Sequence, residues 1–322
     1  MRAKNLLWVG SVFLIAAGCG GGDVTPLDGG NEGSIPGMDG AVGPDSGTPD
    51  DSGNPNNDGG NNDSGNTNDG AVSDGGNFNV GAVSCVVLWL DAAKGVTQMN
   101  NFVSKWADQS GKGNDAQQPT GTRQPGVVAN GINALPSIHF NQGAQNGNVL
   151  IINDSATMQW GTGDFAVWVV ARYNNATMNN FNTALMFSKT AGGMGGFTGP
   201  FLVGNYFANN QIVAGLQGGI SGNNVLQQGA NYNDAAPRAF GLRRTGTSIE
   251  LRVNGAAVAT VMQNGNVDIS TPTTPARIGA DDTQAQIRRM NGDISEVIGC
   301  KGAISAQDLA GVDGYLKGKY NL

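Results

Sequence analysis

From residue 83 to the C-terminus, short apolar runs alternate with breaks of Gly, Asn and Pro. The runs at 83–90, 136–140, 149–152, 164–172, 184–188, 201–207, 211–216, 238–244, 248–253, 256–262, 276–280 and 293–300 each have the length and patterning of a β-strand. No helical pattern interleaves them. That excludes repeated βαβ units and predicts an antiparallel sandwich or jelly roll. The sharpest hairpin signal is Asn254-Gly255 between two alternating runs, because both residues tolerate the positive φ of a type I′ turn. Along 164–172, alternation places Trp168 and Arg172 on one face and Phe165, Val167 and Val169 on the other. A single helix is predicted at the end of the chain. Ser305-Ala306-Gln307-Asp308 reads as its cap, Leu309, Val312 and Leu316 recur at helical spacing, and Lys317 and Lys319 fall where the dipole favours cations.

The first eighty residues follow a different pattern. Arg2 and Lys4 precede an apolar run over 6–17, far short of the roughly 20 residues that span a bilayer. With Ala16-Ala17-Gly18 ahead of Cys19, this is the pattern of a secretory signal. Residues 20–80 contain 11 Asp and Glu and no Lys or Arg, with Gly, Asn, Ser and Pro filling most of the rest. So little apolar surface cannot offset the entropy of ordering, and a disordered, self-repelling tether is expected. Its Asp-Gly repeats are irregularly spaced, with Asn often where a carboxylate would be needed. A solvated spacer is therefore expected rather than a calcium-binding repeat. The division is a signal at 1–18, a tether at 19–80 and a folded domain at 81–322.

Composition refines this reading. The formal net charge is −7, yet residues 81–322 hold 14 acids against 16 bases, so the acidity resides in the tether. An acidic chain argues against nucleic acid, whose phosphates need a basic face. One His and three Cys exclude metal centres built from several imidazoles or thiolates.

Particular motifs carry a resemblance. Leu88-Trp89-Leu90-Asp91-Ala92 and the stretch from Trp106 to Ala116 resemble the opening of bacterial laminin-G-like jelly-roll domains, members of the concanavalin A-like lectin/glucanase superfamily. Arg277-Ile278-Gly279, Asn291-Gly292-Asp293-Ile294-Ser295-Glu296-Val297-Ile298 and Gly314-Tyr315-Leu316 resemble its close. The signal resembles that of a bacterial lipoprotein, with Ala16 where the lipobox prefers Leu. The resemblance implies an all-β, antiparallel jelly-roll β-sandwich with a short C-terminal helix. It also implies a lipid on Cys19 and, since Gly20 is not Asp, residence at the outer membrane or cell surface. The function it implies is non-catalytic recognition of polysaccharide or glycoconjugate, with a glycan-degrading enzyme and a protein–protein adhesion module as alternatives. If the Trp168 face is the concave one, Trp168 and Arg172 are the best-placed pair for a sugar, while Trp89 and Trp106 belong to packing.

No cofactor is required by this reading, but laminin-G-like domains often bind calcium through a few Asp side chains, carbonyls and waters. Asp281-Asp282 is the first candidate pair and Asp108 with Asp115 the second, against the reading of solvated turn aspartates. With Cys19 lipidated, two thiols remain in a secreted protein, and the resemblance places the terminal strands in one region. A Cys85–Cys300 disulfide is therefore expected, the alternative being two buried free cysteines.

The carboxylates and the single His bear on the catalytic alternatives. Retaining glycosidases need two carboxylates about 5 Å apart. Asp293 and Glu296 are three apart and, on a regular strand, point to opposite faces. Glu250 has no carboxylate two positions away. Ile138-His139, Tyr206-Phe207 with Gln211, and Glu250-Leu251-Arg252 resemble fragments of alginate-lyase motifs, but in the wrong order. Alternation of His139 with Ile138 and Phe140 assigns it to a polar strand face.

Overall fold

The computed structural model describes residues 78–141, 147–173, 184–189, 198–206, 211–217, 224–228, 232, 234–281 and 288–322. Cys19, residues 20–77 of the tether and Asp282 lie outside the described residues. The strands run β1 (Val86–Asp91), β2 (Val96–Met99), β3 (Phe102–Trp106), β4 (Ala116–Gln117), β5 (Gly126–Ile132), β6 (Leu135–Phe140), β7 (Leu150–Ile152) and β8 (Phe165–Tyr173). They continue through β9 (Ala184–Ser188), β10 (Phe201–Tyr206), β11 (Gln211–Gly215), β12 (Val225–Gln228), β13 (Arg238–Thr245), β14 (Ser248–Val253), β15 (Ala256–Met262), β16 (Ala276–Ile278) and β17 (Gly292–Lys301). Helix α1 (Ala306–Tyr320) ends the chain.

The described pairings are antiparallel and fall into two runs. The first is β15-β14-β13-β8-β17, after which β17 is flanked on its other side by β1 along its second half and by β6 along its first. Strand β5 extends this sheet from β6. The second run is β12-β11-β10-β9-β16-β7-β4-β3-β2. The Phe102–Gly126 pairing links the two sheets. The fold is the all-β sandwich that the strand pattern predicts, with the expected helix at its end.

Alternation fills the space between the sheets. Leu88, Leu90, Ile138, Phe140, Phe165, Val167, Val169, Ile294 and Val297 face inward from the first sheet, and Trp106, Leu150, Phe187 and Leu202 join the same cluster from the second. A second cluster covers the other side of the first sheet. There Ala166, Trp168, Val170, Ile298 and Cys300 pack against Val312, Leu316 and Tyr320 of α1. Each fully buried apolar side chain contributes roughly 1.5–3 kcal/mol, so three of them suffice to seat a helix marginal on its own.

Local signals explain several boundaries. Ser305 caps α1 by accepting from Asp308 N–H, and Asn254 and Gly255 both take positive φ at the β14–β15 turn. Gly279 has φ +90, and a Cβ there would collide with the Phe140 ring, so the residue after β16 has to be Gly. Residues just ahead of 81 also pack on the domain. Val80 is fully buried in the second cluster, and Phe78 lies against Gly311 of α1.

Candidate functional site

Strand β17 carries the chemistry on the outer face of the first sheet. Its pairing with β8 shifts register between Ile294 and Glu296, a β-bulge with Ser295 as the extra residue. The expected opposition of Asp293 and Glu296 is therefore corrected. The bulge resets the alternation, and both carboxylates project outward, while Ile294 and Val297 stay in the core.

Their surroundings differ completely. Glu296 is sealed between β1, β17 and α1. Its Oε1 accepts from Trp89 Nε1 at 2.7 Å and Tyr315 OH at 3.0 Å, and its Oε2 from Lys319 Nζ at 2.7 Å and Tyr320 OH at 2.8 Å. Lys319 also pairs with Asp91 at 2.9 Å, the residue opposite Glu296 on β1. Burial pushes the Glu296 carboxyl up; Lys319 draws it down and the Asp91 charge adds to the rise. Burial and the Glu296 charge push the Tyr315 and Tyr320 hydroxyls up as well, so both remain proton donors to it. This knot fastens the helix to the sheet and leaves Glu296 no room for a substrate.

Past the end of the helix, the same face carries a second polar cluster. His139 on β6, Asp293 on β17 and Arg172 on β8 are cross-strand neighbours in one row. Asp293 is buried, with its side chain 3% exposed, whereas those of His139 and Arg172 are each 30% exposed. His139 Nδ1 lies 2.8 Å from Asp293 Oδ1, and Arg172 Nε and Nη2 donate to Asp293 Oδ2 at 3.1 and 2.6 Å. Burial pushes the Asp293 carboxyl up, but hydrogen bonds and charge from His139 and Arg172 outweigh it, holding the group below the ordinary carboxylate value. His139 Nε2 and Arg172 Nη1 have no partner among the described residues.

The other expected site residues divide. Trp168 lies opposite Phe165, as alternation predicts, but α1 covers it. The ring is 2% exposed and its Nε1 donates to Asp313 of the helix at 2.9 Å. Of the expected sugar-binding pair, Arg172 alone reaches solvent. His139 and Asp293, which the sequence left as a polar strand residue and half of a rejected dyad, are its true companions. Cross-strand register, not spacing along the chain, brings the three together.

Asp108 and Asp115 do meet, in the turn after Trp106, but as acceptors of protein donors. Asp108 takes the amides of Trp89, Ser110 and Asn114, and Asp115 takes the Asp108 amide and the Lys105 ammonium at 2.6 Å. Burial pushes the Asp115 carboxyl up, while Lys105 and the Asp108 amide hold it below the ordinary value. Asp281 is buried and ion-paired with Arg288. No group of three or more metal-ligating side chains occurs among the described residues. Cys85 and Cys300 form the expected disulfide, with a Cα–Cα distance of 4.8 Å.

No family model matches the chain, and no curated protein matches it either. Among solved structures, it is similar to the binding domain of Paraclostridial Mosquitocidal Protein 1, with a TM-score of 0.50 at 11% identity over 73% of this chain and 52% of that one. The likeness is one of fold. Binding domains of botulinum neurotoxin serotypes D/C and C1 follow at TM-scores of 0.49 and 0.48, with 12% and 10% identity over 74% of this chain and 53% and 52% of theirs. The chain spans about half the length of the structures it matches.

Proposed function

We propose that this protein is a cell-surface lipoprotein whose laminin-G-like β-sandwich is a non-catalytic recognition domain for polysaccharide or glycoconjugate. The observation that carries this reading is the His139–Asp293–Arg172 row. It is a rigid, half-exposed polar array on the part of the sheet that α1 leaves bare, with hydrogen-bonding groups unspent. Sites of this kind, built on strands and locked by a buried partner, bind without needing to reorganise. Shared fold does not carry function, so the weight rests on the row. Enzymatic turnover is the lesser reading, because the carboxylate beside the row is sealed by four donors and the one within it is locked in ion pairs. The signal-like N-terminus and the position of Cys19 support a lipid-anchored domain at the outer membrane, with the acidic segment as spacer. Among the described residues no helix is long and apolar enough to cross a membrane.

A glycan array probed with the full-length protein tests the reading. Binding to a defined subset of glycans, without release of reducing or unsaturated ends, is the expected result. Product release from any bound polysaccharide would overturn the non-catalytic assignment. A blank array combined with specific capture of a surface protein would replace glycan recognition with protein adhesion.

A further inference from the structure

We propose that the ligand is an acidic glycan, and that His139 and Arg172 together read a single sugar residue bearing a carboxylate or sulfate beside a free hydroxyl. This rests on the recognition reading above and makes it specific. The argument starts from the buried Asp293. Held below the ordinary carboxylate value, it is ionised and can only accept, so the Nδ1 of His139 is the donor between them. In the neutral ring that leaves Nε2 as a bare acceptor facing solvent, and an acceptor needs a partner that donates, such as a hydroxyl.

Arg172 supplies the opposite need. Two of its three nitrogens are committed to Asp293 Oδ2, and Nη1 keeps two N–H groups and the outward edge of a delocalised cation. Asp293 neutralises part of that charge and fixes the side chain without using the free edge. The row therefore offers one acceptor and one cationic donor, held either side of a buried anion on adjacent strands. A neutral sugar satisfies the acceptor but offers the free Nη1 edge of Arg172 no charged partner. An acidic peptide satisfies the cation, but its carboxylates carry no hydroxyl at fixed distance. A uronic acid or a sulfated sugar carries both groups on one rigid ring. Residues 81–322 hold 16 bases against 14 acids, so the domain does not repel a polyanion as the tether does.

The test measures retention of the full-length protein by polygalacturonate (carboxylate), dextran sulfate (sulfate), dextran (neutral) and poly-glutamate (carboxylate without hydroxyls). It is run near 0.15 M salt to screen diffuse attraction. Retention by polygalacturonate or dextran sulfate, and by neither of the others, is expected; which of the two binds identifies the acidic group. Arg172→Gln should weaken that binding about tenfold or more, the effect of losing a charged hydrogen bond, and His139→Phe several-fold. Arg172→Lys should also fail, because a point charge cannot hold Asp293 and still present a free edge. Melting curves for each variant separate lost binding from lost fold, and His139→Phe, which leaves the Arg172–Asp293 pair intact, remains informative if Arg172→Gln unfolds. Equal retention by dextran overturns the acidic inference while sparing glycan recognition. Poly-glutamate bound as well as the acidic glycans overturns the hydroxyl half of the argument. Folded Arg172→Gln and His139→Phe proteins with unchanged affinity remove the row as the site. A blank array, by contrast, removes the recognition reading itself.

Discussion

Cross-linking the two ends of the folded chain should be worth more to this domain than any single core contact. Cys85 precedes β1 and Cys300 lies near the end of β17, joined across a sequence separation of 215. In the unfolded chain this closes a loop of that length, for which the chain-entropy model gives about 5 kcal/mol. The native geometry asks for little distortion. Val86 pairs directly with Cys300, Lys301 N–H donates to Cys85 C=O at 2.8 Å, and the Cα atoms are 4.8 Å apart, within the accepted range. For a domain of this size about 1 kcal/mol shifts Tm by roughly 2–4 °C, so opening the bond should lower Tm by about 10–20 °C. The comparison is between oxidised protein and protein reduced with dithiothreitol, which keeps both sulfurs in place; Cys85→Ala with Cys300→Ala adds the loss of sulfur packing. Calorimetry gives Tm, and denaturant kinetics locate the effect. Because the bond acts on the unfolded chain, folding should slow while unfolding changes little, and the m-value should rise as the reduced ensemble expands. A Tm change under about 3 °C would falsify the loop-entropy account. So would a loss expressed wholly as faster unfolding, which would assign the stabilisation to native contacts.

Glu296→Gln should cost about 3 kcal/mol in a chemical-denaturation series, because Trp89 and Lys319 donate to different oxygens and either flip of the amide sets its NH2 against one of them; an unchanged midpoint would show that the knot is dispensable. Asp293, held low by its partners, contributes stability that is present above the unfolded value near 3.8 and lost as pH falls through its lower folded value, so the Tm gap between wild type and Asp293→Asn should be constant at neutral pH, begin to narrow near pH 4 and be smallest below the folded value. A truncation beginning at residue 78 should melt like the full chain, whereas one beginning at 81 removes the buried Val80 and should melt about 5 °C lower in the same scan.

What could be read from the sequence was local or periodic. The Asn254-Gly255 turn, the Ser305 cap and the alternation of Phe165 with Trp168 are each decided by a few adjacent residues, and each is present in the fold. The cysteine pair needed the resemblance as well, because nothing in its spacing selects a partner. Strands β2 to β5 and β12 fall outside the runs named from the sequence: β2, β3, β4 and β12 have two to five residues with interspersed polar side chains, β5 carries Asn and Gly, and the first turn is Asn100-Asn101 without the glycine that usually marks one. The bulge at Ser295 has no glycine to mark it either, and one unmarked residue was enough to reverse the inferred facing of Asp293 and Glu296. Asp108 could not be assigned from composition, since an aspartate that accepts turn amides and one that awaits calcium stand in the same Gly- and Ser-rich context. Trp168 was placed on the right face but not under the helix, because which surface a helix covers is a long-range fact.

That covering decides where binding can occur, and β17 records the decision residue by residue. Cys300 and Ile298 are apolar on its outer face because α1 packs over them. Glu296 comes next, where the last turn of the helix brings Lys319 and Tyr320 within reach, and a charge is tolerable there only because four donors surround it. The bulge follows, and beyond it the helix has ended. Had the strand continued without Ser295, the residue at the open end would have turned into the core, and no carboxylate would have stood between His139 and Arg172. Without that carboxylate, the partly exposed His139 and Arg172 side chains on the two strands flanking β17 would have nothing to fix them. With it, Arg172 is ordered by two hydrogen bonds and His139 by one, and both keep an edge free. A single inserted residue thus separates the part of the face that anchors the helix from the part left to meet a ligand.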